Sequence, residues 1–157
     1  MKMTPLENSI QFKRAGTSDL PAILSLMPLY YEADHLVFEK KKAEKALGHF
    51  ISNASLGQLW LVQDVYLDRT IGYAAVAFGY SLEFGGRDAI VDELFVLPEF
   101  QGQGIGTLTL QHLLTECKAA EIKALRLEVT PTNPRALKLY KKIGFKDLGR
   151  SLLAYEI

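Results

Sequence analysis

Apolar and polar positions alternate through IQFKRA, residues 10–15, a period of two that predicts a first strand. Helical spacing then takes over in TSDLPAILSLMPLYYEA, where Leu20, Ile23, Leu24 and Met27 share a face. Thr17 or Ser18 is the expected cap, and Pro28 is expected to kink or end this helix. FEKKKAEKALGHFISN predicts a second, amphipathic helix with a charged outer face. GQLWLVQD and TIGYAAVAFGYSLE read as strands joined by a turn near Leu67 to Arg69, and Gly85-Gly86 marks the next turn. DAIVDELFVLP becomes apolar on both faces toward its end, as expected of a central fourth strand. A helix from Gly104 to about Ala119 carries Leu110, Leu113, Leu114 and Cys117 on one face. KALRLEV predicts a fifth strand, and Asn133-Pro134 starts a helix that ends at Gly144. The last thirteen residues, FKDLGRSLLAYEI, predict a closing hairpin or strand pair. A helical crossover between the fourth and fifth strands makes that pair parallel. The whole order predicts an α/β sandwich around a mixed sheet, formed by residues 1–157 as one domain.

Composition narrows the classes of function. Apolar residues make up 48% of the 157 residues and charged ones 23%, with zero formal net charge, so nothing suggests a nucleic-acid partner. The first twelve residues lack a signal-peptide core, and no apolar run suggests a membrane span; a cytoplasmic protein is the expectation. One cysteine, Cys117, is too few for a disulfide framework or a thiolate metal site. His35, His49 and His112 are scattered, so no metal is expected.

The stretch LPEFQGQGIG, residues 97–106, crowds three glycines between a strand and a helix. A helix start offers unpaired N–H groups and a positive dipole end, and glycines let a ligand approach the backbone. A tight strand-to-helix turn with no ligand would look the same. A P-loop is excluded because Thr107-Leu108 follows the last glycine in place of Lys-Ser or Lys-Thr. The dinucleotide pattern fits poorly: Gly102, Gly104 and Gly106 give G-x-G-x-G, and four residues separate strand from turn, although Glu128 lies where a ribose-binding acid would fall.

QGQGIG, together with DELFVLPEF before it and NPRALKLYKKIGF after it, resembles the GNAT superfamily of N-acetyltransferases. The resemblance covers residues 89–145, about a third of the chain, with Gln101 where arginine is commoner. It implies a mostly antiparallel mixed sheet, about four helices, and fourth and fifth strands splayed apart by a bulge. It also implies acetyl-CoA as acyl donor. The pyrophosphate would lie on backbone N–H groups of Gly102, Gln103, Gly104, Ile105, Gly106 and Thr107, next to Gln101. Leu94, Phe95 and Val96 would pair with the amide-rich pantetheine arm as an added strand would. Asn133 and Arg135 would approach from the far side, with Lys138 as a further phosphate contact; a solvated helix face also accounts for the two cations.

Acetyl transfer to an amine needs a base for the amine, a donor to the thioester oxygen and an acid for the departing sulfur. The resemblance makes Tyr140 the acid; its spacing with Leu137 and Ile143 equally suits core packing. Asp92 and Glu93 are the candidate bases, Glu93 preferred. Being adjacent on a strand, they are expected to point to opposite faces, so that at most one faces a given cleft. A structural hydrogen bond or ion pair at the strand's start is the alternative for both, and a water chain to bulk solvent is another route for the proton. Cys117 belongs to an apolar stripe, so direct attack in a ternary complex is expected. In the superfamily the acceptor site is built largely from the first two helices and their connection. There Tyr30, Tyr31 and Glu32, with Asp34 and His35, form an aromatic and acidic set suited to a cationic primary amine on a small molecule or protein; an exposed polar loop is the alternative. A non-catalytic acyl-CoA sensor or partner domain is the competing function, and a homodimer through free sheet edges is expected by analogy.

Overall fold

The computed structural model describes residues 5–157. The reading of residues 1–12 as free of a leader therefore falls partly outside the described residues.

A short helix α1 (Pro5–Ser9), which the sequence pattern did not predict, leads into β1 (Ile10–Arg14). Two helices follow, α2 (Leu20–Ala33) and α3 (Lys40–Ser52). Then come β2 (Gly57–Asp64), β3 (Arg69–Ser81), β4 (Gly86–Val96), α4 (Ile105–Ala119), β5 (Ala124–Leu127) and α5 (Pro134–Ile143). The strands form one sheet in the order β1-β2-β3-β4-β5. The first three pairings are antiparallel and β4-β5 is parallel, as the α4 crossover requires.

Two apolar layers flank this sheet. Ile23, Leu26 and Met27 of α2 and Ala43 and Leu47 of α3 pack on Leu59, Leu61, Ile71, Tyr73 and Phe95. On the opposite face Leu110, Leu113 and Cys117 of α4 pack on Trp60, Ala74, Val76 and Ala89, with α5 contributing Leu139, Tyr140 and Ile143. Each large apolar side chain so buried contributes about 1.5–3 kcal/mol. Cys117 is a buried free thiol in this second layer, where burial pushes its pKa up to about 11.

The structure departs from the sequence expectations in three places. Pro28, expected to kink or end its helix, does not end it and lies inside α2. It forfeits one backbone hydrogen bond, but Met27 before it and Tyr30 and Tyr31 after it pack into the core, which holds the last turn. Neither Thr17 nor Ser18 caps the helix: they form a 3₁₀ turn, Thr17–Asp19. There Asp19 accepts from the Gly16 N–H at 2.9 Å and from Lys13 Nζ at 2.8 Å. The closing hairpin is absent, and residues 145–157 adopt neither helix nor strand. Asp147 accepts from the Gly149 N–H at 2.8 Å, Gly149 is left-handed with φ 64°, and Arg150 is drawn to Glu83 at 2.7 Å.

Candidate active site

The glycine turn begins where β4 stops. A 3₁₀ turn, Pro98–Phe100, reverses the chain, and Gln101 Nε2 donates to the Val96 carbonyl at 2.8 Å. Gln103 Nε2 donates to the Glu99 carbonyl at 3.0 Å. Both glutamine amides are thus spent inside the turn. Gly102 and Gly104 have φ of 79° and 92°, a region that costs other residues about 1–2 kcal/mol. Among the described residues, the N–H groups from Gly102 to Thr107 find no acceptor, and the first of the α4 series to bond is Leu108, to Gly104. Arg135, on the first turn of α5, lies against this row: a Cβ on Gly102 would come within 2.9 Å of its guanidinium. Ile105 is buried and Gly106 faces Leu139, so that α4 and α5 meet at the turn. Asn133 lies at the start of α5, where its Oδ1 accepts from the Ala136 N–H at 3.1 Å; Lys138 is exposed on that helix.

Beside the turn, the two parallel strands separate. Their pairing runs only from Asp88↔Ala124 to Val91↔Leu127, while β4 continues to Val96. The β5-facing edge of Asp92 to Val96, including Leu94 and Phe95, has no strand beside it. A bulge lies at the parting: Ala75 pairs with Glu93 and Val76 with Val91, leaving Asp92 without a partner on β3. Its consequence corrects the expectation for the two acids. Val91 and Leu94 pack on the α4 side although three residues apart, so both intervening residues, Asp92 and Glu93, face the α2–α3 side. The extra residue abolishes the strict alternation on which the opposite-face reading rested.

Both acids line one cavity of about 250 Å³ between α2, α3 and the sheet. Tyr73, fully buried, donates from its hydroxyl to Glu93 Oε2 at 2.8 Å. Burial lifts the Glu93 carboxyl above the ordinary glutamate range; hydrogen bonds from Tyr73 and Tyr31 oppose this, and the Asp92 charge adds to it. Asp92 is open to solvent on one side, yet surrounding protein raises its pKa as well. Burial and then the Glu93 charge push the Tyr31 phenol up to about 12. The phenols of Tyr30 and Tyr73 are raised too, first by burial and then by nearby carboxylates. Tyr140, half-buried on α5 with its ring edge-on to Phe145 at 6.0 Å, has its pKa raised by burial and then by the Asp34 charge. All four phenols are therefore proton donors at neutral pH.

Tyr31 thus joins the two acids at the cavity; Tyr30 does not line it but packs edge-on to Tyr73 at 6.4 Å, with its hydroxyl 3.4 Å from Asp34 Oδ2. Glu32 is exposed and does not line the cavity. Tyr73 and the α3 wall of Ala43, Ala46, Leu47 and Phe50 escaped the sequence reading. Tyr73 carried a usable signal, because a phenol inside an apolar strand must find a hydrogen-bond partner.

A strand edge with no strand beside it, leading to a row of N–H groups that find no acceptor among the described residues, with a guanidinium over it, suits an extended amide-bearing ligand that ends in phosphates. The profile of the Acetyltransferase (GNAT) family matches residues 22–145, and this chain belongs to that family. The thialysine N-epsilon-acetyltransferase of Bos taurus is 36% identical over 78 residues, 50% of this chain and 45% of the relative. The peptidyl-lysine N-acetyltransferase YjaB of Salmonella typhimurium is 31% identical over 125 residues, 76% of this chain and 81% of its own. The chain spans about half the length of the thialysine enzymes it matches. Among solved structures, an integron cassette protein from the mobile metagenome of Cole Harbour Salt Marsh superposes with TM-score 0.83 and 28% identity, covering 94% of this chain and 90% of the other. A predicted acetyltransferase of Clostridium acetobutylicum solved with acetyl-CoA gives TM-score 0.77 at 21% identity over 93% and 96% of the two chains, a likeness of fold.

Proposed function

We propose that this protein moves an acetyl group from acetyl-CoA to a primary amine by direct attack within a ternary complex. The observation that carries the reading is the adjacency of two features on β4: an unpaired edge running into the free N–H row at α4, and two carboxylates turned into a cavity by one bulge. Relatives named as acetylating thialysine and peptidyl lysine support an amine acceptor.

Acetyl-CoA supplies an acetyl group already activated as a thioester. The N–H groups of Gly102 to Thr107 hold the phosphates, with Arg135 as counter-charge, and the free edge of Leu94 to Val96 aligns the pantetheine amides. Gln101 and Gln103 shape this cradle, and Asn133 fixes the α5 start that carries Arg135. A β4 N–H near Phe95 donates to the carbonyl oxygen as it gains charge. Glu93, held by Tyr73 and Tyr31, takes the proton from the incoming ammonium, directly or through water. Its raised pKa narrows the gap to an alkylamine near about 10.4. Asp92 adds negative potential that draws the cation in. Tyr140, kept protonated by burial, gives a proton to the leaving sulfur.

Calorimetry with coenzyme A, chemical-shift mapping of Gly102 to Thr107, and thiol release from acetyl-CoA with an amine library test the reading. Binding at those amides with turnover that Tyr140→Phe lowers 10²-fold or more is expected. Binding with no turnover on any amine would instead mark a sensor, and no binding would overturn the proposal.

A further inference from the structure

We propose that the cavity beside Glu93 selects a monoamine on an apolar tail, an alkyl or arylalkyl amine, over polyamines and lysine side chains. This rests on the acetyl-transfer reading of the same site and names its acceptor class.

The sheet floor of the cavity is polar only at its Glu93 end. Across the sheet, Glu93 pairs with Ala75 and Ala75 with Leu59, so the floor runs from a carboxylate over two apolar residues. Two strand spacings span about 10 Å. Met27, Ala43, Leu47 and Phe50 wall the space above this row. An amine anchored at Glu93 must lay its substituent along Ala75 toward Leu59. A second ammonium four carbons along this row would meet the apolar side chains of Ala75, Leu59 and Leu47, an expensive burial. Lys42 and Glu39, both exposed and of opposite charge, also line the cavity; the lysine opposes a dication there.

Size points the same way. A cavity of about 150 Å³ lined by Leu, Ile and Phe holds benzene. The space here, about 250 Å³, accommodates a ring with a short linker or a medium alkyl chain. A lysine stem of four methylenes leaves much of it empty.

The test is kcat/KM for thiol release across propylamine to hexylamine, 4-phenylbutylamine, putrescine, 1,6-diaminohexane and a peptide lysine. Each added methylene from propyl to hexyl is expected to raise kcat/KM about fourfold, with hexylamine at least tenfold better than 1,6-diaminohexane. Lys42→Ala should narrow that last ratio. Ala46→Phe, in the cavity wall, should reduce turnover of 4-phenylbutylamine more than that of propylamine. Hexylamine should also shift the amide resonances of Ala43, Leu47 and Ala75 without acetyl-CoA present. A flat alkyl series, a preferred diamine or peptide lysine, or unmoved α3 resonances overturn the assignment while leaving acetyl transfer standing. Loss of coenzyme A binding and of all turnover instead overturns the parent reading, and the resonance experiment still judges the cavity.

Discussion

Glu93 is controlled by groups of opposite effect, and each can be removed alone. The Tyr73 hydroxyl, 2.8 Å from Oε2, favours the carboxylate; the charge of Asp92 disfavours it. If Glu93 is the base, activity falls as pH drops through its pKa. Tyr73→Phe then moves the acid limb of the kcat/KM profile to higher pH, and Asp92→Asn moves it to lower pH. Shifts in the same direction, or none, would assign the base elsewhere. At the turn, Gly102→Ala meets two penalties, a left-handed φ of 79° and the Arg135 guanidinium 2.9 Å from the new Cβ. Its dissociation constant for coenzyme A should rise about tenfold by calorimetry. Residue identities at the turn were legible in the sequence because glycine has few substitutes at positive φ. The joint orientation of Asp92 and Glu93 was not, since a bulge depends on the partner strand's register and leaves no local signature in DELF.

At the scale of elements, periodicity found every strand and long helix before residue 145, because each carries an apolar face that a layer must cover. Termini and breaks were less legible: Pro28 sits within a continuous α2 because packing on either side outweighs one lost backbone bond. Helix α4 holds a feature no pattern marked. His112 stacks on Phe12 of β1 at 4.4 Å between ring centroids and meets Trp60 of β2 edge-on at 4.4 Å. Its Nε2 is buried with no hydrogen-bond partner among the described residues. Burial lowers its pKa, and the Glu116 charge opposes this only in part. The folded state therefore binds fewer protons than the unfolded chain once pH falls below the ordinary histidine value of about 6.5. Stability is full above that value and declines as pH falls toward the lowered folded pKa. Thermal unfolding between pH 7.5 and 5 should reveal this decline, and His112→Phe should flatten it; an unchanged slope would place the pH sensitivity in other groups.

For the molecule as a whole, the site depends on β4 and β5 being joined at one end and apart at the other. The sequence announced the crossover helix, and hence a parallel pair, but not how far the pairing runs; that is decided by side chains distant in the chain. The chain end lacks the expected hairpin, and Leu152, Leu153 and Tyr155 stay exposed, so β5 keeps an unpaired outer edge and relies on β4. The clip is Asp88, 1% exposed, in an ion pair with Arg126 two residues beyond its register partner Ala124. Gly79 of β3 leaves room for it, since a Cβ there would approach Asp88 Oδ1 to 2.8 Å. Removing one member of such a pair strands a charge in the sheet, whereas replacing both with apolar groups does not. Arg126→Met should therefore cost about 3 kcal/mol in urea unfolding, and adding Asp88→Leu should recover much of that loss. Coenzyme A affinity adds the functional half of the argument. If the clip sets where the strands part, Arg126→Met weakens binding well below its unfolding midpoint, and the double variant, joined by apolar contact at the same positions, binds almost as the parent does. Affinity that ignores both changes would mean that the bulge at Asp92 alone opens the strands.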